Sequence, residues 1–495
     1  MMKRKAFKVA IITGLVALIA LAVSVTVSGA SSKGELPKYL GSDACLGCHT
    51  DKFTNWEMTG HAHMLTQVFK WSDLPGDINA APEELKAELM RADWIVAGQR
   101  FLARDPNDGA LRYLNVLWNG QQYVPYKGGS NWETDCAGCH TTGWNKAESA
   151  FTEPGIGCEM CHGPGRDHVL GKGDISKIIV TDDAMTCGQC HTGGSLPDGT
   201  RWPEGFVPGQ DMHAMGFQFP NIPDPHEGLF PNLTGYPKIR QYPLWEKSAH
   251  AQSMISLDAN DHASGRCDKC HGAEALRNSL AGKPAPKDHA LYQQGVTCSA
   301  CHDPHNNTNE GQLRLPAEEL CIYCHTASLA EGQSFTAGRE IHHPMKEMLD
   351  GRGAIGVTDT KGAHSELTCI ECHMTEGNHQ MRVIKPGEVL EDAKRKDTCT
   401  SCHADSSKES RQVYLDMWQE STESRILAAT EDLTVITANQ NLLTDELKAK
   451  LAAAKTNLSF VEADASKGAH NFEYTIKVLN NVIKTLKEIR TAIGK

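Results

Sequence analysis

The sequence is poor in aromatic residues and has no excess of positive charge. Phe, Trp and Tyr make up 6% of 495 residues, which is little for the hydrophobic cores of so long a chain. The formal net charge is −12 and no basic stripe runs along the chain, so nucleic-acid binding is disfavoured. The chain is 40% hydrophobic and 22% charged, as expected of a folded rather than a disordered or fibrous protein.

Long hydrophobic runs are absent apart from one near the beginning. Four basic residues within the first eight precede a mostly apolar run over 9–27, and Ser28-Gly29-Ala30 supplies small residues of the kind a signal peptidase recognises. The pattern predicts a signal peptide over 1–30 and leaves an uncleaved membrane anchor as the alternative. Either way, we expect the remaining chain to be exported to the periplasm or the cell surface.

Cysteine occurs only in C-x-x-C pairs, and a histidine follows every pair. The eighteen cysteines are Cys45, Cys48, Cys136, Cys139, Cys158, Cys161, Cys187, Cys190, Cys267, Cys270, Cys298, Cys301, Cys321, Cys324, Cys369, Cys372, Cys399 and Cys402. The nine histidines that follow them are His49, His140, His162, His191, His271, His302, His325, His373 and His403.

This pattern points to haem rather than to zinc or disulfides. Zinc knuckles, redox-active dithiols and disulfide scaffolds use C-x-x-C pairs without requiring a histidine next to them. In c-type cytochromes the two thiols bond to the porphyrin vinyl groups and the adjacent imidazole is the proximal iron ligand. The sequence therefore predicts nine covalently bound haem c groups and no free thiol. Calcium is left open as a further cofactor, but no residue pattern supports it.

Local patterns predict a mainly α-helical fold with a haem-dominated core. Residues 94–103 and 111–118 are β-rich runs on either side of a turn at 105–109, and 121–126 follows the hairpin signal Asn119-Gly120. A small β-meander is therefore predicted near 94–126.

Long helices are predicted at the end of the chain, where cysteine and proline are absent after residue 408. Five apolar residues recur there at helical spacing: Phe472, Ile476, Leu479, Ile483 and Leu486. Thr444 is predicted to cap the helix that Asp445 begins. The apolar side of these helices either packs on the haem core or forms a subunit interface.

The remaining histidines supply candidate distal iron ligands. The chain has 23 histidines, so every iron could be held by two imidazoles, which favours low-potential electron carriage. The candidates are His61, His63, His168, His250, His305, His364 and His379. His470 is predicted to be structural or interfacial, and ligation by Met374 or Met381 is the minor alternative.

Motif spacing and an internal repeat predict the domain organisation. Long intervals separate groups of one, three and five motifs, and Trp56-Glu-Met-Thr-Gly-His61-Ala recurs as Trp245-Glu-Lys-Ser-Ala-His250-Ala. We therefore expect a tetrahaem domain over 31–240, a pentahaem domain over 241–408 and a helical segment over 409–495.

The first of these domains resembles the tetrahaem cytochrome c-554 family. The resemblance lies in the Cys45 motif with Trp56 and His61, in Cys136-Ala-Gly-Cys-His-Thr-Thr-Gly143, and in Gly157-Cys-Glu-Met-Cys-His-Gly-Pro-Gly165 with His168. It implies four haems that pack as close pairs.

The second domain resembles the pentahaem cytochrome c nitrite reductases and the hydroxylamine oxidoreductase-type cytochromes. His342-His343-Pro344, His364, Cys369-Ile-Glu-Cys-His373-Met374, His379 and the Cys399 motif follow that family's order. A joined nine-haem protein of this design is similar to the outer cell-wall cytochromes of Gram-positive metal reducers.

Departures from the nitrite reductase pattern weigh against nitrite reduction. The family's first motif ends in lysine, but here it ends in His271. No tyrosine follows the Cys321 motif, and His342 replaces the glutamine before the conserved His-Pro. His343 alone keeps its place, so His343 and His342 are the candidate catalytic residues of any small-molecule chemistry.

Three functions remain open at this point. The preferred one is an exported cytochrome that passes electrons to a metal oxide, an electrode or a redox partner protein. The alternatives are an enzyme acting on hydroxylamine or nitrite at the Cys267 haem, and a subunit of a cytochrome filament. No nucleic acid is expected as a partner, any membrane contact would be through the N-terminal segment, and the C-terminal helices could join copies of the chain.

Overall fold

The C-x-x-C-H motifs lie in short helical turns. The structure is a computed structural model that describes residues 37–127, 131–222, 240–284, 294–389 and 396–495. In a helical turn, residues i, i+3 and i+4 share one face, so both sulfurs and the histidine of a C-x-x-C-H motif can point to one haem. The motifs at Cys158, Cys267 and Cys369 each lie entirely within one helix. The last motif begins in the 3-10 turn Thr398–Ser401.

The described residues from Lys38 onward pack as one compact unit that extends to Lys495. The predicted signal peptide or anchor over 1–30 lies outside the described residues. Within the described part of the chain, no helix combines the length and apolar character needed to cross a membrane.

The helices before the final segment are all short. Those of the amino-terminal half are α1 (Asp43–Leu46), α2 (Thr50–Glu57), α3 (Glu83–Leu89), α4 (Trp132–Asp135), α5 (Ala137–His140), α6 (Cys158–His162), α7 (Arg166–Leu170) and α8 (Met185–Gly188). After residue 240 they are α9 (Gln241–Glu246), α10 (Ser253–Asp258), α11 (Gly265–His271), α12 (Ala273–Leu280), α13 (Cys298–Cys301), α14 (Ala317–Ile322), α15 (Met345–Asp350) and α16 (Cys369–His373).

The predicted β-meander is confirmed, but the sheet has five strands instead of three, because a strand at 65–67 joins it and the run over 94–103 forms two strands. The strands are β1 (Leu65–Gln67), β2 (Trp94–Val96), β3 (Arg100–Arg104), β4 (Leu111–Trp118) and β5 (Tyr123–Pro125), paired antiparallel in sequence order. Gly120 adopts a φ of +96°, which the tight β4–β5 hairpin requires. A second, two-stranded sheet pairs β6 (Thr141–Thr142) with β7 (Glu153–Pro154).

Three long helices end the chain as predicted: α17 (Lys408–Ala438), α18 (Asp445–Asp464) and α19 (Phe472–Ala492). Thr444 caps α18 by accepting a hydrogen bond from the amide of Leu447. The predicted apolar seam of α19 is only partly correct, because α19 packs against both α17 and α18. Leu479 and Leu486 are buried, whereas Phe472, Ile476 and Ile483 are half-buried. The buried residues of α19 are Tyr474, Thr475, Val478, Leu479, Val482, Leu486 and Ile489.

Large polypeptide cores form away from the motifs. One joins the long helices to the segment around Phe335 and Met348, and another lies between the five-stranded sheet and α3. The motif-bearing segment near Cys301 and Cys324 has only a small cluster of buried apolar residues. Cys136, Cys139 and Cys190, in contrast, pack against a larger buried cluster that includes Trp132 and Trp202, so the amount of polypeptide core differs from motif to motif.

Candidate haem sites

Eight of the nine motif histidines face a second imidazole. A metal–imidazole bond is about 2 Å long, so two imidazoles on one iron have ring centres about 6 Å apart. The facing pairs and their centroid distances are His49–His168 (6.3 Å), His191–His61 (6.3 Å), His162–His305 (6.0 Å), His302–His379 (6.4 Å), His325–His250 (6.0 Å), His271–His343 (6.0 Å), His373–His470 (6.1 Å) and His403–His364 (6.2 Å). Each pair leaves room for one iron, so these residues fit the haem that the motifs imply.

Contacts at Nδ1 orient several of the motif imidazoles. His162 lies 2.6 Å from the carbonyl oxygen of Ile179, and His302 lies 2.6 Å from that of Gly311. A carbonyl can only accept, so each ring donates from Nδ1 and keeps Nε2 free for a metal. Burial lowers the pKa of His191 to about 4, which favours the neutral imidazole that binds iron.

Opposite His140, the described residues place no second imidazole. Its ring lies 6.2 Å from the ring of Trp132, and burial lowers its pKa to about 4. This histidine follows the Cys136 motif, so its haem is the one for which the described chain offers no distal histidine.

The haem of the Cys267 motif has a crowded distal side. His343 lies 6.0 Å from His271 and 5.9 Å from His325, and it adopts a φ of +49°, which is strained for a residue with a β-carbon. His250 instead pairs with His325. His342 is exposed and lies 3.2 Å from Glu340, so of the two candidate catalytic residues only His343 faces a motif histidine.

The repeated Trp…His-Ala segments have the same structure in both halves. Trp56 donates its indole N–H to the carbonyl of Ile156 at 2.8 Å, and the amide of Ile156 donates to the carbonyl of His61 at 2.9 Å. Trp245 and Val296 repeat this, with 2.7 Å for the indole bond and 3.0 Å for the amide bond to His250.

This repeat relates two sets of three motifs. Ile156 precedes the Cys158 motif as Val296 precedes the Cys298 motif, which makes His61 and His250 equivalent. By the same relation His140 corresponds to His271. The difference between the halves is that His343 faces His271, whereas His140 has no such partner among the described residues.

Cysteines of different motifs lie close enough to perturb one another. Contact with Cys324 lowers the pKa of Cys270 to about 7, and contact with Cys321 lowers that of Cys369 to about 6. Other interacting pairs are Cys45–Cys158, Cys139–Cys190, Cys187–Cys298 and Cys372–Cys402. A sulfur bonded to haem carries no titrating proton, so these pKa shifts apply only to the free thiols. The proximity of the cysteines remains in the haem-bound protein, and it brings the haems of neighbouring motifs close together.

A hydrogen-bonded cluster joins the two halves beside the Cys187–Cys298 contact. Asp182 accepts from Arg277 at 2.5 Å and from the hydroxyl of Ser299 at 2.6 Å. Ser299 lies between the cysteines of its motif, so this carboxylate ties the segment before Cys187 to the Cys298 motif.

A second connection crosses the same boundary. His162 belongs to the amino-terminal half, whereas His305, which faces it, follows the Cys298 motif. His305 lies 3.3 Å from Asp303, whose other oxygen accepts from Arg314 at 3.1 Å. The haem of the Cys158 motif thus has candidate ligands from both halves.

The structure brings together most, but not all, of the distal candidates. His63 is exposed, and its ring faces no other imidazole in the described residues. His470, expected to be structural, instead faces His373 from the turn between α18 and α19. Met381 lies on the outer side of His250, with 2.9 Å between its sulfur and Nδ1, rather than opposite a motif histidine.

Three family models match parts of this chain. They are the doubled CXXCH motif over 289–329, cytochrome c552 over 340–495, and cytochrome c554 and c-prime over 121–163. The matches show covalent haem c attachment, and the c554 match falls in the half that was predicted to resemble that family.

Two solved structures resemble almost the whole chain. The outer cell wall cytochrome OcwA matches with a TM-score of 0.78 and 30% identity, covering 91% of this chain and 100% of OcwA. The undecaheme cytochrome from the S-layer of Carboxydothermus ferrireducens shares the fold, with a TM-score of 0.65 and 23% identity over 92% of this chain and 70% of its own. The chain therefore belongs to the family of multihaem c-type cytochromes that includes OcwA.

Proposed function

We propose that this chain is an exported nine-haem cytochrome that carries electrons to an acceptor outside the cytoplasm. The observation that carries the proposal is the set of eight facing imidazole pairs. An iron held by two histidines has no free position for a substrate, and its chemistry is then electron transfer. The outer cell wall and S-layer locations in the names of the two relatives support an extracellular acceptor such as a metal oxide, an electrode or a redox partner.

Interactions between cysteines of different motifs support a proposed order of the haems. Motifs are named by their first cysteine, and the series runs 45, 158, 187, 298, 321, 369, 399. The links 45–158, 187–298 and 321–369 are side-chain contacts, and the other three are electrostatic interactions between nearby thiols. Motif 136 branches from motif 187, and motif 267 branches from motif 321. Electrons would pass between the halves where Cys187 meets Cys298.

The domain boundaries belong to the same proposal: a tetrahaem domain over 31–240, a pentahaem domain over 241–408 and a helical segment over 409–495. The repeat at Trp56 and Trp245 supports a boundary near 240. Because His305 faces His162 across that boundary, we expect the two domains to complete each other's haems rather than to act alone.

Electron delivery can be tested against enzymatic turnover in the full-length holoprotein. The haems are reduced anaerobically and their reoxidation is followed with a ferric chelate, with iron oxide, and with nitrite or hydroxylamine. We expect the iron acceptors to dominate and to keep most of their rate in His343→Ala, with exposed His342→Ala as the control. Nitrite or hydroxylamine turnover that far exceeds iron reduction, and is lost in His343→Ala, would contradict this function.

Binding of a small molecule at the haem of the Cys136 motif is the second candidate function. It is favoured because His140, unlike the other motif histidines, faces no second imidazole in the described chain. Reduced protein should bind about one carbon monoxide per chain, and His343→Ala should add a second site at the Cys267 haem. Absence of binding in the parent protein would exclude an open iron there.

Association of copies of the chain through the C-terminal helices is also proposed. The outer side of α17 exposes Val413, Tyr414, Met417 and Leu427 to solvent. Light scattering of the holoprotein and of Met417→Lys tests this: a dimer that the substitution dissociates supports the proposal, and a monomeric parent protein excludes it.

A further inference from the structure

Distal histidines differ in the partner that accepts their Nδ1 proton. His168 and His379 lie 2.9 Å from the backbone carbonyl oxygens of Asp174 and Gly377. These acceptors are neutral. His470 instead lies 2.6 Å from a carboxylate oxygen of Asp464.

Asp464 is a buried carboxylate at an unfavourable place. Its side chain is 1% exposed, and it is the last residue of α18, where the helix dipole repels negative charge. No lysine or arginine of the described residues forms an ion pair with it. Its second oxygen accepts from the amide and hydroxyl of Ser466, so His470 is the one titratable group bonded to it.

The turn after α18 holds this pair in place. Ala465 and Lys467 adopt φ values of +58° and +55°, a left-handed conformation that costs energy in residues with a β-carbon. The amide of His470 also donates to the Ser466 hydroxyl at 3.2 Å. A strained turn and a buried carboxylate without a lysine or arginine partner in the described residues do not stabilise the fold. Their effect on His470 is therefore the better explanation for this arrangement.

A carboxylate that accepts the Nδ1 proton makes an imidazole more electron-rich. Such second-shell partners raise ligand basicity, and hydrogen bonding around haem ligands is one way in which proteins set the haem potential. An electron-rich ligand stabilises ferric over ferrous iron. The reduction potential therefore falls.

We propose that Asp464 is a positioning residue that gives His470 imidazolate character and thereby lowers the potential of the haem bound at Cys369 and Cys372. The inference rests on the proposed ligand role of His470. Asp303 makes a weaker version of this contact with His305, because the distance is 3.3 Å and Arg314 offsets the charge.

The test is a spectroelectrochemical titration of the full-length holoprotein and of Asp464→Asn, which keeps the shape and removes the charge. We expect the reduction potential of one haem to rise by about 59 mV, which is a tenfold change in its ferric–ferrous equilibrium for one electron. The shift should appear in that haem's part of the absorbance change. The other haems should not move, and every haem that is low-spin in the parent should stay low-spin. Asp464→Glu should retain much of the low potential.

Asp432→Asn is the matched control. Asp432 is also a buried carboxylate of the helical segment, but it pairs with Arg490 at 2.6 Å instead of with a histidine. We expect that substitution to lower stability and to leave all potentials unchanged. If Asp432→Asn produces the same shift as Asp464→Asn, the effect is structural and the proposal is wrong.

His470→Ala separates this proposal from the ligand assignment beneath it. If His470 is a ligand, the variant gains one high-spin haem; if it gains none, the ligand assignment itself fails. If that signal forms but Asp464→Asn shifts no potential, the ligand assignment stands and the role of Asp464 is refuted. A new high-spin haem in Asp464→Asn would likewise refute it, because Asp464 would then only hold the ligand in place. If Asp464→Asn does not accumulate, Ser466→Ala should shift the same haem downward, and no shift would refute the role.

Discussion

Glu347 holds together two of the segments that carry facing histidines. It lies in α15, just after His343, and its side chain is 0% exposed. Its carboxylate accepts from the Thr326 hydroxyl at 2.8 Å and from the amides of Ala327 and Leu329 at 3.0 and 3.2 Å. The segment after His325 is thereby tied to the helix that follows His343.

We expect Glu347→Ala to lower the free energy of unfolding of this region by about 3–5 kcal/mol. Each hydrogen bond to a charged group contributes about 1.5–3 kcal/mol. Glu347 also forms an ion pair with Arg352 at 3.7 Å, and removing one side of a buried ion pair costs about 3–5 kcal/mol. The three bonds share one carboxylate, so their effects should not simply add. Glu347→Gln should lose less, because one acceptor oxygen remains.

Urea titrations that follow far-ultraviolet circular dichroism and the Soret band of the holoprotein test this expectation. The variant should unfold at lower urea and should show partial conversion of low-spin to high-spin haem as His325 and His343 lose their positions. Glu340→Ala, in the same segment but 82% exposed, should change stability by less than about 0.5 kcal/mol. A loss below about 1 kcal/mol in Glu347→Ala, with unchanged spin state, would show that Glu347 does not hold these segments together.

Three further predictions concern the helices, the distal ligands and the haems. Leu479→Ala, at a position 0% exposed in α19, should cost about 2–5 kcal/mol in urea titrations, whereas exposed Lys484→Ala should cost little. His168→Ala should create one additional high-spin haem by electron paramagnetic resonance, and His63→Ala should create none; the reverse result would contradict the pairing of His168 with His49. Protein made without cytochrome c maturation should lose native structure around the motifs, and limited proteolysis should cut there before it cuts α17–α19; a fully folded apoprotein would contradict the role given to haem.

The haem attachment residues could be predicted from the sequence because covalent chemistry fixes their spacing. Distal ligands have no such spacing, since each comes from whichever segment packs over a given haem. His305 was a candidate, but the sequence did not indicate that it would face His162 across the domain boundary.

His470 shows what the sequence reasoning missed. The sequence predicts a structural or interfacial role for it, because it follows the last motif and lies among helices. A usable signal was present: the helical pattern stops around Gly468, and a histidine follows within that break. A turn between two long helices can point an imidazole away from both of them, as it does here toward His373.

Secondary structure that depends on neighbouring residues could be predicted from the sequence, whereas structure that depends on distant contacts could not. The hairpin at Gly120 and the cap at Thr444 depend on neighbouring residues and were predicted correctly. Strand β1 has three residues and is specified mainly by its pairing with β2, so its own sequence gave no signal. Only Leu479 and Leu486 of the predicted α19 seam are buried, because a single helix pattern cannot reveal two packing partners.

The proposed electron path consists of haems held by two histidines, and His140 is the motif histidine that faces no second imidazole among the described residues. The most direct test of this proposal is a quantitative low-temperature electron paramagnetic resonance spectrum of ferric holoprotein, scaled to the haem content from a pyridine haemochrome assay. We expect nine haems per chain, of which one is high-spin. Fewer than nine haems in fully matured protein, no high-spin iron, or several high-spin irons would contradict the proposal.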